Sequence, residues 1–267
     1  MLYDACVAMA EFVCGSEEEF VNQMNERARG LGMENTNFVN CNGLDTEGHE
    51  TTARDIAAMS RELLTKYPQV HDYVTIWMEN ITHTTRKGTS EFGLTNTNKL
   101  IRQYQYATGL KTGSTADAGF CVSATAEKNQ MEMIAVIMGA KDSKSRFADA
   151  TTLLNYGFGK CMKYMDEGLE AIKPVKVEKG MKAEVSVKQA GSFQYIDTVG
   201  ADLTQIKKKP ELKEDLKAPV KEGDKTGEMV YYLDGKEIGR ADIVATESVG
   251  KMKYKNALET ALEKFFM

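Results

Sequence analysis

The feature that most constrains this chain is a pair of apolar, β-prone runs, Phe120 to Ala126 and Met131 to Met138. Only Glu127-Lys128-Asn129-Gln130 joins them. Two such runs across a short polar link predict a β-hairpin. Ahead of it stands Gly109-Leu110-Lys111-Thr112-Gly113-Ser114-Thr115, which reads as a strand flanked by turn residues. Behind it, Ser143 to Tyr156 reads as a helix with Phe147, Ala150, Leu153 and Leu154 facing inward. The first half of the chain is helical by the same logic. Asp4 to Val13 is a largely apolar helix closed by Gly15, and Ser16-Glu17-Glu18-Glu19 has the form of a capping box. In the helix that follows, Phe20, Val21, Met24, Ala28 and Leu31 recur at helical spacing. A third helix starts at Thr51 or Thr52, carries Ile56, Met59, Leu63 and Leu64 on one side, and ends before Pro68. Asn35 to Gly43 is expected as an ordered loop or short strand, and Val74 to Ile81 is expected to pair with Phe92 to Leu94. Helices, then antiparallel strands, then a helix imply an α+β domain over residues 1–165, its antiparallel sheet packed with helices.

The pattern changes after about residue 170. Pro174 to Val187 and Gly227 to Ala245 alternate apolar and charged residues, and Asp234-Gly235 is a strong hairpin turn. The lysine-rich stretch Ile206 to Glu222 belongs on exposed strands and loops. Residues 170–247 therefore form a small, β-sandwich-like domain. From Lys251 to Met267 the periodicity is helical again and amphipathic, with Leu258, Ala261, Leu262, Phe265 and Phe266 on one face.

Apolar residues make up 42% of the 267 and charged residues 27%, enough for a globular core. The net charge of −5 argues against a nucleic-acid partner, which usually calls for a basic face. No run approaches the roughly 20 apolar residues of a membrane-spanning helix. Met1-Leu2-Tyr3-Asp4 lacks the basic start of a signal peptide. Cys6, Cys14, Cys41, Cys121 and Cys161 form no CxxC pair and read as buried free thiols. His49, His71 and His83 show no metal-ligand spacing, so neither a metal nor a cofactor is expected.

The chemistry concentrates at Lys111-Thr112-Gly113. A strand carrying Lys-Thr-Gly can hold an anionic acyl substrate. The lysine attracts a carboxylate, the threonine hydroxyl hydrogen-bonds it, and the glycine lets the ligand backbone lie close. The triplet is short, and Lys225-Thr226-Gly227 is a second copy, expected in the charged turn of Glu222-Gly223-Asp224, where a β-turn is a sufficient explanation. Context distinguishes the first. With Asp4-Ala5-Cys6-Val7-Ala8-Met9-Ala10-Glu11, Phe20 to Asn25, Thr36-Asn37-Phe38-Val39-Asn40, Gly43-Leu44 and Thr95-Asn96-Thr97-Asn98-Lys99-Leu100, it resembles the serine-type D-alanyl-D-alanine carboxypeptidases, the low-molecular-mass penicillin-binding proteins. Pro219-Val220-Lys221-Glu222-Gly223 and Leu233-Asp234-Gly235-Lys236-Glu237 resemble that family's small β domain.

The resemblance implies a penicillin-binding, transpeptidase-like fold and a peptidoglycan stem peptide ending in D-Ala-D-Ala as substrate. It also implies β-lactams as ligands and an extracytoplasmic place on the membrane, with 251–267 as a peripheral contact. Lys111 and Thr112 would bind the terminal carboxylate, Gly113 and Thr115 would line the site, and the Ser114 amide would help form the oxyanion hole. The family's nucleophile and base come from an SxxK motif expected upstream of the first helix, so they are absent from these residues. Met1-Leu2-Tyr3 stands where its SxN motif is expected. Ser248-Val249-Gly250-Lys251 fits SxxK only literally. The expectation is an N-terminally truncated member, inactive alone. A non-catalytic cell-wall-binding protein and a β-lactamase-like hydrolase are the alternatives, the second disfavoured by the small β domain.

Overall fold

The computed structural model describes residues 2–86, 88–214 and 216–253. The chain divides into two compact units, Met1–Gly159 and Lys160–Met267. The first begins with α1 (Leu2–Cys14), α2 (Glu17–Gly30) and α3 (Ala53–Lys66). Ser16 and Thr52 cap the second and third helices, each hydroxyl accepting a first-turn N–H from Glu19 or Asp55. One turn, α4 (His71–Val74), leads into a ribbon of β1 (Met78–Thr85) and β2 (Gly88–Thr95), with Ile81 opposite Phe92. The expected pairing is there, but Val74 lies in the helical turn, so the strand starts four residues later than the apolar run suggests.

After the short α5 (Leu100–Gln103) come β3 (Ala107–Thr115), β4 (Gly119–Lys128), β5 (Met131–Ala140) and α6 (Ser143–Lys160). The three strands form one antiparallel sheet in the order β3-β4-β5. Asn129 and Gln130, at φ 54° and 58°, make the tight turn of the expected hairpin. Antiparallel partners share a face, and this sheet is covered on both. On one, Ser123 opposes Lys111 and bonds Ser60 of α3 at 2.8 Å. On the other, Val122, Ala124 and Ala126 pack against Phe147, Ala150 and Leu154 of α6 and against Leu100. Burial of Phe147 and Leu154 contributes roughly 1.5–3 kcal/mol each. Leu153, expected in that stripe, sits at its margin and is 49% exposed. Asn35 to Gly43 is a loop with a single bridge, Asn37 to Glu50. The five cysteines are half-buried thiols, less enclosed than expected.

The second unit is β-rich. Its strands are β6 (Met162–Asp166), β7 (Val175–Glu178), β8 (Glu184–Val185), β9 (Val187–Gln189), β10 (Phe193–Asp197), β11 (Lys207–Leu212), β12 (Leu216–Lys217), β13 (Lys225–Leu233) and β14 (Lys236–Ala245). They form sheets of order β11-β13-β14-β9, β12-β7-β8 and β10-β6. Asp234-Gly235, both at positive φ, turns β13 into β14 as the dipeptide predicts. One core joins Val175, Val177, Val185, Phe193, Met229, Tyr231 and Ile243. Tyr231 is fully buried and stacked on Phe193, and its hydroxyl lies 2.8 Å from Asp166 Oδ2 and 2.9 Å from Gln189 Oε1. Lys251 bridges Gly180 and the Met252 N–H reaches the Lys179 carbonyl. The helix expected over 251–267 therefore does not begin at residue 251, and residues 254–267 of that span lie outside the described residues.

Candidate functional site

β3 is an edge strand, since β4 is its only strand neighbour among the described residues. Its sequence alternates across that edge. Lys111 and Gly113 fall on the α3 face, while Thr112 and Ser114, opposite Val122 and Phe120, fall on the α6 face. A ligand lying along the edge can therefore meet groups from both faces, which one face of a central strand does not allow.

Lys111 has no carboxylate partner among the described residues; its ammonium folds back onto the Thr112 carbonyl. The residue as a whole is exposed, while its ammonium is partly desolvated. That burial, with Arg146 nearby, holds the lysine below its usual pKa, while the neighbouring Cys6 acts in the opposite direction. A cation with a depressed pKa and no counter-ion favours an arriving anion. Thr112 is buried, and its hydroxyl bonds the exposed Thr97 hydroxyl at 2.6 Å. Gly113 is exposed, and a Cβ built on it would meet nothing within 4 Å. The fold does not need glycine there, so the open space is available to a ligand. Ser114 is exposed at the end of the strand. The Thr115 hydroxyl accepts the Ala118 N–H at 3.0 Å and so closes the β3–β4 turn.

The sequence reading missed Arg146. It is 6% exposed, sandwiched against Phe120 and Phe147, and its Nη1 donates to the carbonyls of Gly113 at 3.0 Å and Cys121 at 3.1 Å. The guanidinium thereby fixes the end of β3 that carries Gly113. The other end of the strand is fixed by close approach. Gly109 has a φ of +147°, and a Cβ there would lie 2.7 Å from Val74 Cγ2 of α4. The one sequence signal for Arg146 is its position four residues before Ala150, in line with the inward stripe of α6.

The other motifs resolve differently. Ser248 accepts the Glu222 N–H at 3.0 Å and Val249 is buried, so this SxxK match is a piece of the small unit's frame. The second Lys-Thr-Gly opens strand β13 instead of lying in the turn. Among the described residues no cluster of His, Cys, Asp and Glu could hold a metal ion. No helix there is long and apolar enough to cross a membrane.

A sheet packed between helices, a Lys-Thr-Gly edge strand and an appended β unit define a penicillin-binding type of protein. Residues 3–142 match the family described as D-alanyl-D-alanine carboxypeptidase, and residues 165–251 match the C-terminal domain of penicillin-binding protein 5. The chain belongs to the D-alanyl-D-alanine carboxypeptidase family. It is similar to the D-alanyl-D-alanine carboxypeptidase DacF of Bacillus subtilis, 35% identical over 97% of this chain and 66% of the relative. Penicillin-binding protein 5 of Haemophilus influenzae superposes with a TM-score of 0.67 at 29% identity, covering 93% of this chain and 71% of that one. Penicillin-binding protein D2 of Listeria monocytogenes, solved in its cefotaxime-bound form, is 33% identical over 58% of this chain and 61% of its own, with a TM-score of 0.50. The chain spans 66% of the length of DacF and 60% of the Escherichia coli enzyme DacC.

Proposed function

We propose that this chain carries the carboxylate-binding part of a serine-type D-alanyl-D-alanine carboxypeptidase acting on peptidoglycan stem peptides. The observation that carries the reading is Lys111, a cation that among the described residues has no carboxylate partner, beside the open flank of Gly113 on a strand edge that no described strand pairs. In the complete reaction a serine attacks the carbonyl of the peptide bond between the two D-alanines, the C–N bond breaks, D-alanine leaves with its amine protonated, and water releases the acyl-enzyme. Lys111 and Thr112 hold the terminal carboxylate, Arg146 keeps the strand end in register, and the Ser114 amide helps stabilise the developing oxyanion. The relatives' names and the cefotaxime-bound neighbour support this substrate class and β-lactam binding. Among the 267 residues the one SxxK match is Ser248 to Lys251, whose serine is engaged in the small unit. The chain alone should therefore bind a D-Ala-D-Ala peptide without cleaving it, as a lost nucleophile removes orders of magnitude in rate. Purified chain is expected to release no D-alanine and to form no covalent adduct with a fluorescent penicillin. Release that survives Lys111→Ala would overturn both the inactivity and the site.

We propose that the protein lies outside the cytoplasm, at the membrane surface, with the part of 251–267 that follows the paired Lys251 and Met252 as the contact. The amphipathic pattern of that segment supports this. In vesicle flotation the full chain is expected to float and a chain ending at residue 253 to stay with the soluble fraction; equal behaviour would overturn it.

A further inference from the structure

We infer that Thr97 is a positioning residue for the carboxylate site, acting through the hydroxyl of Thr112; this rests on the reading of Lys111 and Thr112 given above. A threonine hydroxyl has one proton. When Thr112 donates that proton to a carboxylate, its bond to Thr97 persists only with Thr97 as the donor. Thr97 Oγ1, at 2.6 Å, is the side-chain partner the structure provides. When Thr97 donates, the Thr112 proton is left for the ligand, and the two hydroxyls form a chain that ends on the carboxylate.

The surroundings of Thr97 are built to hold it there. The Asn96 side-chain amide donates to the Val74 carbonyl at 3.0 Å and the Ile76 carbonyl at 2.9 Å. Its Oδ1 accepts the Asn98 N–H at 2.9 Å. Asn98 is 1% exposed, and its own Oδ1 accepts the N–H of Leu100, a core residue. Two asparagine turns thus pin the backbone on either side of Thr97, one to the α4 segment and one to the core. Thr97 itself is exposed. Its side chain therefore contributes little to packing, while its hydroxyl faces a buried partner on the strand that carries Lys111.

The test is a double-mutant cycle on the full chain, read as affinity for an N-acetylated peptide ending in D-Ala-D-Ala. The same peptide as its C-terminal carboxamide is the control. Thr97→Val is expected to weaken the free acid about fivefold, the scale of one neutral hydrogen bond, and Thr97→Ser to restore it. Combined with Thr112→Val, Thr97→Val is expected to cost nothing further. If Thr97→Val costs as much in the Thr112→Val background, or leaves the acid unaffected while Thr112→Val weakens it, the inference is wrong and the reading of the site stands. If the unmodified chain does not prefer acid over carboxamide, the reading of the site falls and the inference falls with it.

Discussion

The chain writes Lys-Thr-Gly twice, and the two copies lie in opposite physical circumstances. In the first, Lys111 has no carboxylate partner among the described residues, Thr112 shares its hydroxyl with an exposed neighbour, and Gly113 faces empty space. In the second, Lys225 pairs with Glu228 and Asp242, both at 2.6 Å. Thr226 is fully buried and donates to the Ile243 carbonyl at 3.1 Å. Gly227 has no room at all, since a Cβ there would lie 2.4 Å from the Glu211 carbonyl oxygen and 2.9 Å from Leu212 Cα. Each group that could serve a ligand at the first triplet is satisfied internally at the second. The fold thus leaves the groups of the first triplet open and closes those of the second.

The largest expected effect concerns the glycines. Gly227→Ala forces a methyl into the β11 backbone and should destabilise the small unit by about 1–3 kcal/mol, seen as a lowered denaturation midpoint. Gly113→Ala should leave the midpoint unchanged and weaken the D-Ala-D-Ala peptide instead. A Gly113→Ala chain that binds normally would mean that the open space serves nothing.

The lysines come next. Lys111→Ala should reduce peptide affinity at least about tenfold, the worth of a partly desolvated charge-assisted contact. Lys225→Ala should leave affinity unaltered and stability nearly so, because its ion pairs are exposed and screened. Equal losses from the two would erase the distinction.

The smallest effect is in pH dependence. Burial, then Arg146, lowers the Lys111 pKa. The protonated form binds the carboxylate, so affinity should decline with rising pH below the range where an ordinary lysine loses its charge. Binding there should take up a proton, measurable as a buffer-dependent heat. For Lys225 the bonds to Asp242 and Glu228 raise the pKa. Its small contribution to stability is present below the unfolded lysine pKa and is lost only as pH rises through the higher folded value.

Much of this was legible in the residues. The hairpin at 120–138 and the helices around it follow from periodicity, because burial on one face dictates spacing. Lys111 stood out because of the passages that accompany it. Arg146 and Thr97 did not stand out. Arg146 looks like one more polar residue on an amphipathic helix until α6 packs its start against Phe120. Thr97 is one of several threonines in a polar stretch, and its partner is fifteen residues away across a loop. The strand identity of the second triplet was hidden by the turn beside it, whose Gly223 does adopt positive φ. These are tertiary facts, and local pattern does not encode them.

The most direct test of the central claim is a titration of isotopically labelled chain with the acetylated D-Ala-D-Ala peptide, following the backbone amides of both triplets by NMR. The account expects Thr112, Gly113 and Ser114 to shift saturably with the free acid and much less with the carboxamide, while Thr226 and Gly227 stay still. Matching shifts at both triplets, or none at the first, would contradict it.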